Sequence, residues 1–516
     1  MKKIVHLPLD ERPCNYDFPY KMFNKEDIKI VRPEKEDMGF KKEPGDIKKL
    51  HKFLFEETKD AYGLVISIDT LLFGGIVPSR SHFFEEEVLE ERLKILEKIK
   101  TSNPNLIIHA YDLIMRTPQY NDDEEEPDYY RYSGRSIFEK GYLTHKKELS
   151  LASKEELDRL DKIVIEPRYL KDYLRRRNIN TNLTLKVVDL VDKGVIDFLV
   201  IPQDDAAEFG WTAKDQVKVR TYIEKKNLQN KIYIYPGADE VGSILFARMV
   251  NKLFNRQPKM YIKYPSITSG LIIPTLEDRY LDTSVKYQIT AAGGVVVPSI
   301  KEAEMVVFVN APSNYMLPSS HQHVKHQGYT TQRNLVEFVE VMEYVVNTLK
   351  KPATLVDLGF DNGGDIELVK MLNKKDLLLK LASYASWNIP CNTLGTAIAF
   401  GISYLLFGRT IEHQSFLVHR YLEDIGYCSH TRYYIRENVV AKHGYNIYFV
   451  GEQKGVIADI VKDEIEKFIN NNLTTLKGRY EIINCYMPWV RTYEVGLEVK
   501  YIKKKILRKD FSREEM

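Results

Sequence analysis

Two adjacent carboxylates, Asp204 and Asp205, stand in the stretch PQDDAAEFGW, outside any charged surface run. Neighbouring anions repel, so one of the pair is expected to hold its proton above the usual carboxylate range. A protonated acid beside an ionised partner is what general acid catalysis requires. Along a regular strand neighbours point to opposite faces, so the two serve one ligand only if the chain turns there. The competing role is a helix cap for one and a solvated charge for the other.

Other polar residues follow short apolar runs in the same way. PGADE carries Asp239 and Glu240, open to a functional role or to capping a helix start. LDERP carries Asp10 and Arg12, whose guanidinium either grips a substrate carboxylate or pairs with Asp10. Asp69, Asp112 and Asn310 close three further runs. In FDNGGD, Asp361, Asn362 and Asp365 flank glycines that permit φ > 0, which makes either a plain turn or a close backbone approach to a ligand. SWNIPCNTLG sets Trp387 beside Asn388 and Asn392, an apolar ring with directional amides that suits a sugar. Asn392 or Thr393 serves equally well as the N-cap of the apolar helix after it. His321, His323 and His326 cluster in SSHQHVKH, but carboxylates with metal-site spacing are missing nearby, so no metal and no other cofactor is assigned. GxSxG, GxxxxGKS/T and GxGxxG signatures are absent, which weighs against serine-hydrolase, nucleotide-hydrolysing and dinucleotide chemistry.

The runs that deliver these residues are rich in β-branched and aromatic side chains. They lie at 4–10, 63–69, 106–112, 198–205, 232–240, 305–313, 354–365 and 383–392, with helical patterns between them at 85–100, 213–226, 242–254, 334–349 and 374–381. Continuous apolar runs signify strands buried on both faces, hence parallel sheet. Eight β-α units that each end in polar residues point to a (β/α)8 TIM-like barrel with its site at the C-terminal ends of the strands. Residues 28–33 and 270–275 could also be strands, which keeps an open doubly wound sheet in play. The barrel is expected over 1–407, with an inserted subdomain at about 258–303 and a C-terminal α/β extension over 408–516. The acidic run 121–126 opens a Tyr- and Arg-rich loop reaching Arg135, a candidate lid. The end of the chain, 501–516, is expected to be partly helical or frayed.

Bulk composition bounds the function. The chain has 516 residues, 44% hydrophobic and 29% charged, with 75 Lys and Arg against 73 Asp and Glu. That composition is globular, and a net charge of +2 gives no electrostatic case for nucleic acid or an anionic membrane as partner. Four scattered cysteines fit a reducing compartment, and the apolar stretch 393–407 is one core helix long. A cytoplasmic protein acting on a small molecule or oligosaccharide is expected.

The stretches PLDERPCNYDFP, SIDTLLFGG, QDDAAEFGW, PGADE, SWNIPCNTLGTAIA and MPWVRTYEV resemble the bacterial family catalogued as domain of unknown function 4127. That resemblance spans the chain and implies no activity. A more distant likeness, in the acidic pair and the Trp-Asn-Pro-Asn group, is to glycoside hydrolase family 84, the β-N-acetylglucosaminidases. It implies that Asp204 orients the substrate's acetamido group, that Asp205 is general acid and base, and that Asn388 and Asn392 bind sugar hydroxyls or the acetamide. The sugar's own carbonyl oxygen is then the nucleophile, a scheme that tolerates neighbouring acids. The expectation is a retaining, substrate-assisted glycoside hydrolase. The alternatives are a metal-dependent hydrolase or lyase built on Asp10, Asp69, Asp112, Asp204 and Asp239, with the histidine loop at 321–326 as a further source of ligands, and a non-catalytic carbohydrate-binding barrel.

Overall fold

All eight apolar runs become strands, and every ladder joining them is parallel. A computed structural model describes residues 1–324 and 326–503. The first sheet holds β1 (Lys2–Leu7), β2 (Ile28–Val31), β3 (Gly63–Ser67), β4 (Ile107–Tyr111), β5 (Phe198–Gln203) and β6 (Ile232–Pro236), in the order β2-β1-β3-β4-β5-β6. Its registers include Ile4↔Ile30, Ile4↔Gly63, Gly63↔Ile107, His109↔Phe198 and Leu199↔Ile232. The second sheet holds β7 (Lys259–Lys263), β8 (Val295–Val296), β9 (Met305–Asn310), β10 (Ala353–Asp357) and β11 (Ser383–Ala385), in the order β8-β7-β9-β10-β11.

The chain is therefore α/β with parallel sheets, and the expected closed ring of eight is not formed among the described residues. Closure would need β6 beside β9 and β11 beside β1. Instead β2 occupies the free side of β1, and β7 occupies that of β9. Residues 28–31 and 259–263, whose pairing decides the matter, are short and have no special pattern. The segment 258–303, expected as an insertion, supplies β7 and β8 to the second sheet. Residues 270–275 form a short 3-10 turn over Ser269–Leu271 and irregular chain.

The strands of the first sheet alternate between two cores, which is why they read as continuous apolar runs. Val5, Leu7, Leu64, Ile66, Ile108 and Ala110 face one core. Ile4, Val65, Tyr111 and Val200 face the other, which they share with Val306, Val307 and Leu355 of the second sheet. Two helices join the sheets through that shared core. Helix α1 (Val241–Leu253) lies against β3 and β4, α2 (Pro390–Phe407) lies against β10 and β11, and the helices pack on one another. Helix α2 is long and apolar enough to cross a membrane, but 78% of its apolar window is buried in the fold, as in a core helix.

Helices expected at 85–100, 213–226, 242–254 and 334–349 form with shifted ends or a break, whereas 374–381 gives way to a helix over Ile366–Lys374, started by Asp365. The expected lid loop is short. From Tyr130 the chain is helical to Glu148, because Tyr130 and Ile137 pack into a core with Tyr173. Beyond residue 408 come a continuous helical run from Ile411 to Asn438, a helix over Val456–Asn472 and an antiparallel hairpin of Tyr480–Tyr486 with Gly496–Tyr501. Of the expected frayed end at 501–516, residues 504–516 lie outside the described residues.

Candidate active site

The carboxyl ends of both sheets open on one cavity of ≈ 240 Å³. From the first sheet it takes Arg12 after β1, Asp204 and Asp205 after β5, and Asp239 after β6; from the second it takes Asn362 after β10, with Trp387, Asn388 and Asn392 after β11. The C-terminal run completes the wall with Glu423, Cys428, Arg432, Arg491, Tyr493 and Glu494.

The turn that both neighbouring acids need is present: Asp205 has φ 43°. Left-handed backbone ends the strand's alternation and lets Asp204 and Asp205 face the same space. Three other non-glycine wall residues share this costly conformation, Leu276 at φ 62°, Asn362 at φ 56° and Asn388 at φ 52°. Four strained residues around one cavity mark it as a built site. Gly74 and Gly75, at φ 86° and 142°, make the link from helix Ile68–Phe73 to helix Ile76–Ser81, which carries Arg80 into the wall.

Guanidinium groups hold the acids in place. Arg80 Nη2 donates to Asp204 Oδ2 at 2.5 Å, and Arg116 Nη1 donates to Asp205 Oδ2 at 3.2 Å. Burial raises the pKa of Asp204, with the charge of Asp205 adding to it and the two arginines opposing. Burial also raises Asp205, against Arg116 and Arg80. The acidic run 121–126 anchors this group: Glu125 receives Arg491 at 2.6 Å, Arg80 at 3.1 Å and Arg116 at 3.2 Å. Burial opposes ionisation of Glu125, yet Arg491, Arg116 and Arg80 together hold its carboxyl well below the usual range.

Asp239 ties the two sheets together. Its Oδ1 accepts from Arg12 at 2.6 Å and Asn15 at 2.9 Å, and its Oδ2 accepts from Asn388 at 3.5 Å. Asp10 lies behind Arg12 and accepts its Nη2 at 2.6 Å, so Arg12 is both a structural ion pair and part of the wall. Trp489 lies between Arg12 and Arg491, its ring 4.3 and 4.5 Å from their guanidinium carbons. Its Nε1 donates to Glu11 at 2.5 Å, and burial pushes Glu11 up to about 7.

Several expected ligands lie off the cavity. Glu240 turns beneath it, accepting Ala238 N–H at 3.0 Å, and burial pushes its pKa to about 8. Asp69 and Asp112 form a separate buried pair; burial raises Asp69 to about 6, and burial with the charge of Asp69 raises Asp112 further. Asn310 donates to Asp357 at 2.7 Å, and Arg333 links it to Asp365, a network at the ends of β9 and β10. Asp361 is buried beside Asn362 outside the wall. Asn392 is in the wall but does not cap α2; Pro390 opens that helix, and Thr393 bonds back to Trp387 O and N at 2.5 and 2.9 Å. The ring of Trp387 is largely buried, with Nε1 donating to Thr396 at 3.1 Å, so it is not an open platform. His326 caps a short helix and accepts Gly328 N–H at 3.1 Å, while His321 and His323 are exposed. Among the described residues no group of three or more His, Cys, Asp or Glu is placed to hold a metal.

Sequence reasoning missed Arg80, Arg116, Glu125, Glu423, Arg432, Arg491 and Glu494. The arginines and Glu494 are single charged residues in ordinary contexts, Glu423 stands beside Asp424, and Glu125 lies in the acidic run 121–126, which reads as the start of a lid. The signals within reach were the double glycine before Arg80 and the Arg and Glu inside MPWVRTYEV.

The family model described as protein of unknown function (DUF4127) matches residues 4–498. The chain belongs to that family. No curated protein matches it.

Proposed function

We propose that this member of an unassigned family is a glycoside hydrolase, retaining and substrate-assisted, acting on an N-acetylhexosamine-type or related sugar. The observation that carries the reading is the convergence of Asp204 and Asp205 on one enclosed cavity with the amides of Asn388 and Asn392 and the Trp387 ring. Arg80 lies against Asp204 at 2.5 Å, while Asp205 has only the longer 3.2 Å contact with Arg116. Burial favours the protonated form of both acids, and in this scheme the proton sits on Asp205, leaving Asp204 ionised against Arg80.

Asp205 then donates its proton to the leaving glycosidic oxygen. The substrate's acetamido oxygen attacks the anomeric carbon as the bond to the leaving group breaks. Ionised Asp204 accepts the acetamide N–H and aims that oxygen. Asp205, now ionised, takes a proton from the water that opens the cyclic intermediate, which restores the acid and retains the anomeric configuration. Enclosure by the C-terminal segment excludes bulk water, which strengthens each polar contact inside.

A panel of chromogenic glycosides that includes N-acetylglucosaminides and N-acetylgalactosaminides tests the scheme. Asp205→Asn is expected to lower turnover by about 10²–10⁴-fold, with the loss smallest for the best leaving groups. Asp204→Asn is expected to lower it for acetamido sugars above all. Inert substrates throughout, or full rates in both variants, would overturn the assignment.

A further inference from the structure

Four of the five arginines in the cavity wall are matched to acids: Arg12 with Asp10 and Asp239, Arg80 with Asp204, Arg116 with Glu126, and Arg491 with Glu125 and Glu494. Arg432 is different. It is 4% exposed, and no carboxylate of the described residues lies within 4.0 Å of it. Its Nη1 donates to Tyr493 O at 3.2 Å, and its Nη2 donates to Asn362 O, to Cys428 O at 3.1 Å and to Tyr433 Oη at 3.3 Å. Its Nε–H has no acceptor.

One helical turn on, Arg436 is satisfied in the same uncharged way, by Thr492 Oγ1 at 2.9 Å and Thr492 O at 3.3 Å. Its positive charge and that of Arg432 repel. Asp361 feels the field of Arg432 without touching it. The acids on the same wall are already committed, Glu494 to Arg491 and Glu423 to His419 and Arg420 at 2.9 and 3.0 Å. A buried cation facing a cavity with only neutral partners lacks a counter-charge, which a ligand entering that cavity can supply.

We infer that the ligand of this cavity carries an anionic oxygen group received by Arg432, and hence that the sugar cleaved is an acidic one. The word sugar rests on the glycosidase reading above, while the anion rests on Arg432 alone. Nη2 already donates to three oxygens, so what Arg432 offers a ligand is its charge and the free Nε–H; a uronic-type carboxylate, a sulfate ester and a phosphate ester all carry the matching anionic oxygen.

Calorimetric titration of the intact protein at neutral pH tests this without any turnover. The probes are glucuronate against glucose as its neutral parent, together with inorganic phosphate and inorganic sulfate. Glucuronate is expected to bind at least about tenfold more tightly than glucose, with the preference weakening as salt rises. In Arg432→Gln the preference should fall below about threefold. Should that variant fail to fold, the wild-type comparison still decides, because no preference for glucuronate over glucose together with no binding of phosphate or sulfate overturns the inference. Phosphate or sulfate binding more tightly than glucuronate supports the anion subsite and assigns it to an ester group. Glucuronate binding through Arg432 with every glycoside inert leaves the subsite standing and removes the glycosidase. Glycosides cleaved with no preference for charge do the reverse.

Discussion

Glu240 offers the sharpest quantitative test of how the floor beneath the cavity is built. It is buried, its Oε2 accepts Ala238 N–H at 3.0 Å and its Oε1 accepts Gln288 Nε2 at 3.1 Å. Burial, the largest influence, moves its pKa from 4.5 to about 8 against the backbone N–H groups of Ala238 and of Glu240 itself. A raised carboxyl pKa means that the folded state binds the proton more tightly than the unfolded chain. Stability from this group is therefore full below pH 4.5 and is lost as pH climbs through about 8. At 1.36 kcal/mol per unit the whole window is worth ~5 kcal/mol, of which ~3.5 kcal/mol falls between about pH 5 and pH 8. Glu240→Gln keeps the shape and one acceptor but cannot ionise. Urea unfolding of both proteins across that range should show the wild type losing ~3.5 kcal/mol relative to the variant as pH rises. Taking the difference between the proteins cancels the buried acids that do not interact with Glu240; Asp239 and Glu277, whose charges add to its shift, are part of what the difference reads. A difference that stays constant within ~1 kcal/mol, or one that grows in favour of the wild type, refutes the argument.

Three further outcomes follow from the same packing. Gly395→Ala places a methyl against Glu240 Cγ and Gln288 Oε1; overpacking at ~1–3 kcal/mol outweighs the ~1 kcal/mol helix preference of alanine, so thermal denaturation should show a lower Tm. Arg491→Met retains an apolar stem against Trp489 but strips Glu125 and Glu494 of a partner at 2.6 and 3.1 Å; unfolding in urea should report a loss of ~3–5 kcal/mol, and a loss under ~1 kcal/mol would show the pairs to be dispensable. Cys14 and Cys428 line the cavity as thiols that burial pushes up, Cys428 to about 12; iodoacetamide at neutral pH should leave both unmodified by mass spectrometry until the protein is denatured, and rapid native alkylation would contradict their environment.

The sequence made the strands legible because parallel sheet buries both faces, and IVHL, GLVIS and FLVIP leave no polar stripe. It left their grouping open. Eight such runs close into a ring or divide into two sheets according to where two short strands pair, and nothing local to residues 28–31 or 259–263 dictates the choice. In the site, Asp204, Asp205, Asp239, Asn388 and Asn392 were legible as polar residues just past strand ends. The arginines were not, since Arg80, Arg116 and Arg432 sit on helices or loops whose direction depends on the tertiary fold. The turn at Asp205 has no glycine to announce it.

Strain explains why the site needs both sheets and the C-terminal segment at once. A left-handed non-glycine residue costs ~1–3 kcal/mol and persists only where its surroundings leave no alternative. Asn362 and Asn388 are such residues on neighbouring strand ends, and the N–H of Asn362 donates to Asn388 O at 2.9 Å, so each holds the other. Arg432 then takes the carbonyl of Asn362, and Asn388 reaches across to Asp239 on the first sheet. Neither sheet alone supplies that closed set of partners. The helical run after residue 411 brings in Arg432, and the segment 488–495 brings in the Tyr493 carbonyl it also bonds. The turn at Asn362 thus draws on all three contributors, and so does the placement of the Asn388 amide against Asp239.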